Sequence, residues 1–359
     1  MRRDILYGQI KIDEKYKSIL NLKDIQRLKD ISLSAVPSVY LPIKKMSDRF
    51  EHSLGVAHLA KISCENEKLK DYADAMIVAS IFHDVGSSPF SHLSEIFQKE
   101  IFGKNHEEYA HFILKECDDE LKKLGLDYRE IGDLIEGKGI GVILNGGDSM
   151  DLDNLDNSLR YGRYAGVIRE LPYSPEYLAK HLSLILNNLE NSPETIKQIE
   201  KYNYARKKVY VESVYSDANW SKAGMLIRAI NFAYLNGELS ENYFRFTDTE
   251  AINFLSTKCN NTTKELMKKL NNDEGYKKVA EISTKDPSEK LRKLCDDWKQ
   301  RIKSADEIGE KFKIPRQEVC IVAARSQAVK NEKQPYYLAR VFVNPNLKIN
   351  EKEIISDIF

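Results

Sequence analysis

The chain has 359 residues and equal numbers of basic and acidic side chains, 55 of each, so it carries no net charge. That balance excludes a general electrostatic grip on nucleic acid or on an anionic membrane and leaves room only for a local basic patch. No apolar stretch approaches the roughly 20 residues that span a bilayer. The start, Met1 to Ile5, has no signal-peptide core, and the five cysteines are widely spaced with no Cys-x-x-Cys. A soluble, cytoplasmic protein in a reducing compartment is expected, with no membrane contact and no thiolate metal site.

In chain order, Ile5 to Ile12 alternates weakly and suggests a short hairpin. The segment 21–31 reads as a helix, with Leu22, Ile25, Leu28 and Ile31 spaced by three. Pro37 and Pro42 bracket an irregular stretch. A helix resumes at Asp48, with Phe50, Leu54, Val56 and Leu59 facing one way. The next, 69–83, is apolar nearly all round toward its end and belongs at the core centre. Pro89 suits the start of a helix that Ser91 to Phe102 continues. Helices follow at 107–123 and 127–136, then a glycine-rich loop to Gly147 that lacks the Gly-Lys-Ser/Thr ending of a phosphate loop. Further helices are expected at 152–161, 176–190, 193–201, 204–235 and 248–256. The region 260–312 is charge-rich and reads as mostly helical, a solvated face more often than a nucleic-acid surface. Glu318 to Ala323 and Tyr336 to Val343 read as two strands.

Six of the seven histidines lie between 52 and 111. Two of them sit in His83-Asp84-Val85-Gly86-Ser87-Ser88-Pro89-Phe90-Ser91-His92, at the end of the apolar run. Buried ionisable groups are costly unless paired or bound to a metal. His52, His83, Asp84 and Asp153 make the best candidate site. Two imidazoles with two carboxylates suit a single divalent ion such as Mn, Fe, Zn, Co or Ni, and leave positions open for water and a substrate oxygen. Taken singly, a histidine here is more often a satisfied core or surface residue, and His58 and His111 are read that way. In the acidic run 148–156, Asp148 or Asp151 suits a helix N-cap. The spacing from Asp151 does not fit an EF-hand calcium loop.

The strings Asp48-Arg49-Phe50-Glu51-His52-Ser53-Leu54-Gly55-Val56 and Phe82-His83-Asp84-Val85-Gly86, with Pro89-Phe90-Ser91-His92, resemble the HD-domain phosphohydrolases. The branch most similar is the deoxynucleoside triphosphate triphosphohydrolases, which includes the SAM-and-HD-domain enzyme and bacterial dGTPases. The resemblance runs from Ile5 to about Leu255. With the elements read above, the expected fold is mostly α, an HD-domain helical bundle over 1–235 with a smaller C-terminal α+β lobe over 236–359. The resemblance implies that His52, His83, Asp84 and Asp153 ligate one divalent metal, with Mg among the candidates, and that a second Mg can accompany the substrate phosphates. By the same resemblance Arg49 touches phosphate, His92 and Glu95 handle protons beside the scissile bond, and His106 is a second active-site histidine.

The substrate shell departs from the branch. Ser87 replaces a histidine of the animal enzyme. Asn154, Asn157 and Tyr161 stand where that enzyme has Lys, Tyr and Asp. Tyr202 stands in place of a phosphate-contacting Arg, with Arg206, Lys207 and Lys208 one turn on, and Tyr210 keeps a tyrosine expected near the base and sugar. The implied reaction is hydrolysis of a dNTP to deoxynucleoside and triphosphate, in a homo-oligomer. The alternatives are a phosphomonoesterase or phosphodiesterase acting on another nucleotide, and a nucleotide or nucleic-acid sensor that keeps the metal only for binding.

Overall fold

A computed structural model describes residues 3–43, 46–147, 150–326, 336–347 and Ile354. The described residues form sixteen α-helices and a three-stranded antiparallel sheet near the C-terminus, so the expected mostly helical class holds. None of the helices is long and apolar enough to cross a membrane. The chain divides into two compact units, one of Met1–Ser34 and Ile43–Val209, the other of Ala35–Pro42 and Tyr210–Phe359.

The first unit contains α1 (Lys17–Leu20), α2 (Lys23–Arg27), α3 (Arg49–Ser63), α4 (Ala73–Phe82), α5 (His92–Phe102), α6 (His106–Glu116), α7 (Asp118–Lys122), α8 (Tyr128–Ile135), α9 (Leu152–Tyr164), α10 (Pro175–Leu186) and α11 (Pro193–Val209). Every residue of α4 from Ala75 to Phe82 is buried, as its all-round apolar pattern requires. Its neighbour α3 buries His52, Gly55, Val56 and Leu59, while Phe50 and Leu54 are only half-buried. The inward stripe of α3 is therefore rotated from the expected one, because a polar residue and a glycine belong to it.

The second unit contains α12 (Asp217–Leu235), α13 (Asp248–Thr257), α14 (Asn261–Asn271), β1 (Lys277–Thr284), α15 (Glu289–Asp296), α16 (Trp298–Phe312), β2 (Val319–Ser326) and β3 (Tyr336–Val343). The sheet order is β1-β3-β2, with Val341 paired to both Ala280 and Ile321. Its core joins Ala280, Leu294, Ala305, Ile308, Val319, Ile321, Val341 and Val343. Gly224 lets α12 approach the sheet, since a Cβ there would strike Cys320. This packing groups α12 with the C-terminal unit, so the division falls at 209/210 and not at the 235/236 boundary read from sequence.

Several expected elements differ in detail. The N-terminal hairpin is a tight turn closed by one bridge, Asp4 to Gly8. The helix over 21–31 ends at Arg27 and continues as a 3-10 turn, Leu28–Asp30. The helix over 107–123 breaks at Cys117. Residues 193–209 form one helix, and the break before α12 is a wide π-type turn, Tyr210–Val214. Pro89 does not open α5. Phe90 and Ser91 both take positive φ, 59° and 51°, and the helix begins at His92. Lastly, β1 lies inside the segment read as helical. It has one fully buried residue, Ala280, and a register shift beside it, so its apolar alternation is too sparse to read.

Candidate metal centre and the adjoining cleft

Three helices of the first unit deliver the four candidate ligands. Asp48 caps α3 by accepting from the Glu51 amide at 2.7 Å, which starts the helix at Arg49 and sets His52 one turn in. The apolar helix α4 stops at Phe82 and hands His83 and Asp84 to the following turn. The cap of α9 is Asp151, which accepts from the Asn154 amide at 2.7 Å and leaves Asp153 in the first turn. The other N-cap candidate, Asp148, lies outside the described residues.

His52, His83 and Asp84 are all buried and their donor atoms converge. His83 donates Nδ1–H to the Ser80 carbonyl at 2.7 Å. A carbonyl only accepts, so Nδ1 is the donor and Nε2 is the nitrogen turned toward His52 and Asp84. His52 places Nδ1 2.7 Å from Asp156 Oδ1 and Nε2 2.9 Å from Asp153 Oδ1. The two Nε2 atoms are 3.3 Å apart. Asp84 Oδ2 lies 3.5 Å from His83 Nε2 and 3.9 Å from His52 Nε2, and it finds no hydrogen-bond partner among the described residues.

A proton satisfies only part of this arrangement. Burial lowers the His52 pKa, but the Asp153 and Asp156 carboxylates outweigh it and push the ring up to about 9. An imidazolium at His52 would answer Asp153 and still leave the orphaned Asp84 oxygen without a hydrogen bond, 3.5 Å from His83 Nε2. A single cation answers the converging donors of His52, His83 and Asp84 at once, while the fourth expected ligand, Asp153, stands outside that group and meets His52 Nε2 at 2.9 Å. The donor set of two nitrogens and two carboxylate oxygens fits a divalent transition metal, and each ring nitrogen that faces away is held by an acceptor, as metal-bound histidines require.

Around this centre the remaining oxygen of Asp84 pairs with Arg49 Nη1. Burial would raise the Asp84 carboxyl, but the charges of Arg49, His83 and His52 hold it far below the usual range. Arg49 is itself buried and donates Nε–H to Ser91 Oγ at 2.8 Å. Arg27 braces the turn after the His-Asp pair through the Val85 and Ser87 carbonyls, at 3.0 and 2.7 Å. Gly86 lets α6 approach the same turn, because a Cβ there would strike the His106 carbonyl.

Arg49 also lines a tight, nearly closed space, without room for a water molecule, with Ser87, Ser88, Ser91, His92, Glu95 and His106. Glu95 joins two rings. Its Oε2 is 3.0 Å from His92 Nδ1 and its Oε1 is 2.5 Å from His106 Nδ1. His92 is two-thirds exposed. Burial works against charge on Glu95 and His106, yet the pairing prevails. Glu95 lies far below its usual range, and His106 is held above its own.

The expected substrate shell is only partly assembled. Asn154 gives its amide N–H groups to Asp151 at 2.8 and 2.9 Å, and its carbonyl accepts from Arg206 Nη1. Asn157 is half-buried and Tyr161 buried on α9. Lys207 is exposed. Tyr210 belongs to the second unit, where its ring packs edge-on to Tyr215.

Sequence reading missed the group behind His52. Asp156 accepts from Arg160 Nε at 2.7 Å and Nη2 at 2.9 Å, and from the Tyr7 hydroxyl at 2.9 Å. Arg160 Nη1 donates to Asp4 Oδ2 at 2.8 Å. The available signal was the spacing Asp153, Asp156, Arg160, which puts an acid pair and its counter-ion on adjoining positions of one helix. Gly55 is the matching vacancy on α3, since a Cβ there would overlap both Asp156 and Arg160.

An apolar helix that ends on a buried His-Asp pair, completed by a histidine and an aspartate from flanking helices, defines an HD-domain site. Residues 49–157 match the HD domain family. A deoxynucleoside triphosphate triphosphohydrolase SAMHD1 homolog of Dictyostelium discoideum is 25% identical over 185 residues, 45% of this chain and 36% of that protein. A hypothetical protein of Aquifex aeolicus shares the fold at a TM-score of 0.74 and 19% identity, over 100% of this chain and 99% of that one. A phosphohydrolase from Bacteroides thetaiotaomicron shares it at 0.66 and 18%, over 96% and 99%. The chain carries an HD domain over residues 49–157 and is similar in sequence or fold to these proteins. Its match spans about a third of the length of the first two curated relatives.

Proposed function

We propose that the chain is a metal-dependent phosphohydrolase acting on a nucleotide, and that its substrate is a deoxynucleoside triphosphate cut to deoxynucleoside and triphosphate. The observation that carries the first part is the convergence of the His52 and His83 Nε2 atoms and an orphaned Asp84 oxygen on one buried point. His52, His83, Asp84 and Asp153 would hold a divalent ion, which when bound would supply an activated water and offset phosphate charge. The finer substrate rests on likeness to the Dictyostelium relative.

The roles of the chain's own residues follow from their bonds. Arg49, fixed by Asp84 and Ser91 beside the centre, binds a phosphate oxygen. Glu95 accepts Nδ1–H from His92 and His106. That leaves Nε2 of the exposed His92 to hand a proton to the leaving oxygen. His106, charged beside Glu95, keeps that carboxylate in place and adds positive potential where phosphate charge gathers.

A second reading has one observation in its favour. Asn154 spends its donors on Asp151 and its acceptor on Arg206, which favours a smaller phosphate load and a phosphomonoesterase or phosphodiesterase reaction. A screen of deoxy- and ribonucleotides with Mn²⁺ or Mg²⁺, resolving products by anion exchange, separates the readings. Inorganic triphosphate with deoxynucleoside supports the first, and orthophosphate the second. Bound metal without turnover of any nucleotide would overturn both in favour of a binding-only sensor.

A further inference from the structure

Asp156 is fully buried and has no route to substrate, yet four donors meet on its carboxylate. Oδ1 receives His52 Nδ1 and Arg160 Nε, each at 2.7 Å. Oδ2 receives the Tyr7 hydroxyl and Arg160 Nη2, each at 2.9 Å. Arg160 is fully buried as well, and its remaining nitrogen is held by Asp4. Asp4 uses its other oxygen to accept the Leu6 and Tyr7 amides at 2.8 and 3.0 Å. That bonding shapes the turn Asp4–Gly8, in which Gly8 takes φ +70°, and aims Tyr7 at Asp156. Tyr7 is also wedged by its ring, 4.8 Å from the His58 ring.

We propose that this N-terminal turn is a positioning clamp for the metal ligand His52, with Asp4 and Tyr7 acting through Arg160 and Asp156; the inference rests on the metal-centre reading above. Three physical consequences support it. Asp156 fixes the tautomer and tilt of His52, so that Nε2 faces Asp153 and His83. Two carboxylates, Asp4 and Asp156, share one guanidinium, so the buried group carries a net negative charge that favours a cation beyond His52. The clamp also joins residues far apart in sequence, so the centre's geometry depends on a turn that never touches it. Asp4, Tyr7, Asp156 and Arg160 are thus positioning residues.

The test uses the full chain with Co²⁺ as the probe. Co²⁺ affinity is measured by competition with a chromophoric chelator, the visible absorption of the bound ion is recorded, and metal-free melting is followed alongside. Tyr7→Phe keeps the ring contacts and removes one hydrogen bond, and about fivefold weaker Co²⁺ binding is expected. Asp156→Asn is expected to cost about 10–100-fold. Both should change the shape of the Co²⁺ bands, while Tyr7→Phe melts within a few degrees of the parent. Asp4→Asn keeps an acceptor for the turn amides and should fall between the two. Unchanged Co²⁺ affinity and bands in Tyr7→Phe and Asp4→Asn, with the parent binding normally, would overturn the clamp alone. A parent chain that binds no Co²⁺ would overturn the metal-centre reading and the clamp with it.

Discussion

At the scale of single residues, the site separates groups that hold an ion from groups that handle a proton. His83 and Asp153 belong to the first set. Replacing either with alanine is expected to remove bound metal and activity together, and metal analysis beside a turnover assay checks this. His92, exposed and bonded only to Glu95 among these groups, belongs to the second. His92→Ala should keep the metal and lose turnover by about 10²–10⁴-fold; loss of the metal would make His92 a ligand. The Glu95–His106 pair gives a pH signature. Glu95 is depressed, so its contribution is present above the unfolded carboxyl value and lost as pH falls. His106 is raised, so its contribution is present below the unfolded imidazole value and lost as pH rises through the folded one. The pair therefore supports the fold most between roughly pH 4.5 and 6.5. The drop in melting temperature on Glu95→Gln should be largest near about pH 6 and shrink as pH rises through the raised His106 value, and a constant drop would contradict the pairing.

At the scale of elements, glycines set how closely the site's helices meet. Gly55→Ala pushes a methyl into Asp156 and Arg160. A loss of about 1–3 kcal/mol is expected from overpacking, read as a lower denaturation midpoint, and weaker metal binding should accompany it. A variant as stable as the parent would show that α3 and α9 can separate freely. The same packing explains what was legible in sequence. The His83-Asp84 pair announced itself because two ionisable groups interrupt an apolar run, and Asp151 read as a cap because its neighbours start a helix. Asp156 and Arg160 carried only their helical spacing as a signal, and Tyr7 and Asp4 carried none, because their bonds to Asp156 and Arg160 join residues about 150 positions apart and local pattern carries no such information. The positive φ of Phe90 and Ser91 was hidden too. Pro89 suggested a helix start, but burial of Phe90 and the Arg49–Ser91 bond hold the turn open until His92. In β1, Lys277 and Lys278 are exposed and Ala280 is the one fully buried side chain, so charge masked a strand that pairing with β3 creates.

At the scale of the whole molecule, the proposed chemistry resides in the first unit, where all four ligand candidates and the His92–Glu95–His106 cluster fall. The second unit is built around its own sheet core. A metal that binds only the folded first unit should raise that unit's melting transition, by about 2.7 kcal/mol at a hundredfold excess over Kd, and leave a transition of the second unit in place. Calorimetry with and without Mn²⁺ reads this directly. The central claim is that one buried divalent ion, held by the His52–His83–Asp84–Asp153 set, is required for phosphate-ester hydrolysis. The most direct measurement is nucleotide hydrolysis by the parent chain and by Asp84→Asn, with the metal content of the same samples. The account predicts about one ion per chain and measurable hydrolysis in the parent, and neither in the variant. Hydrolysis that persists at the parent's rate in a metal-free sample, or in Asp84→Asn, would contradict it.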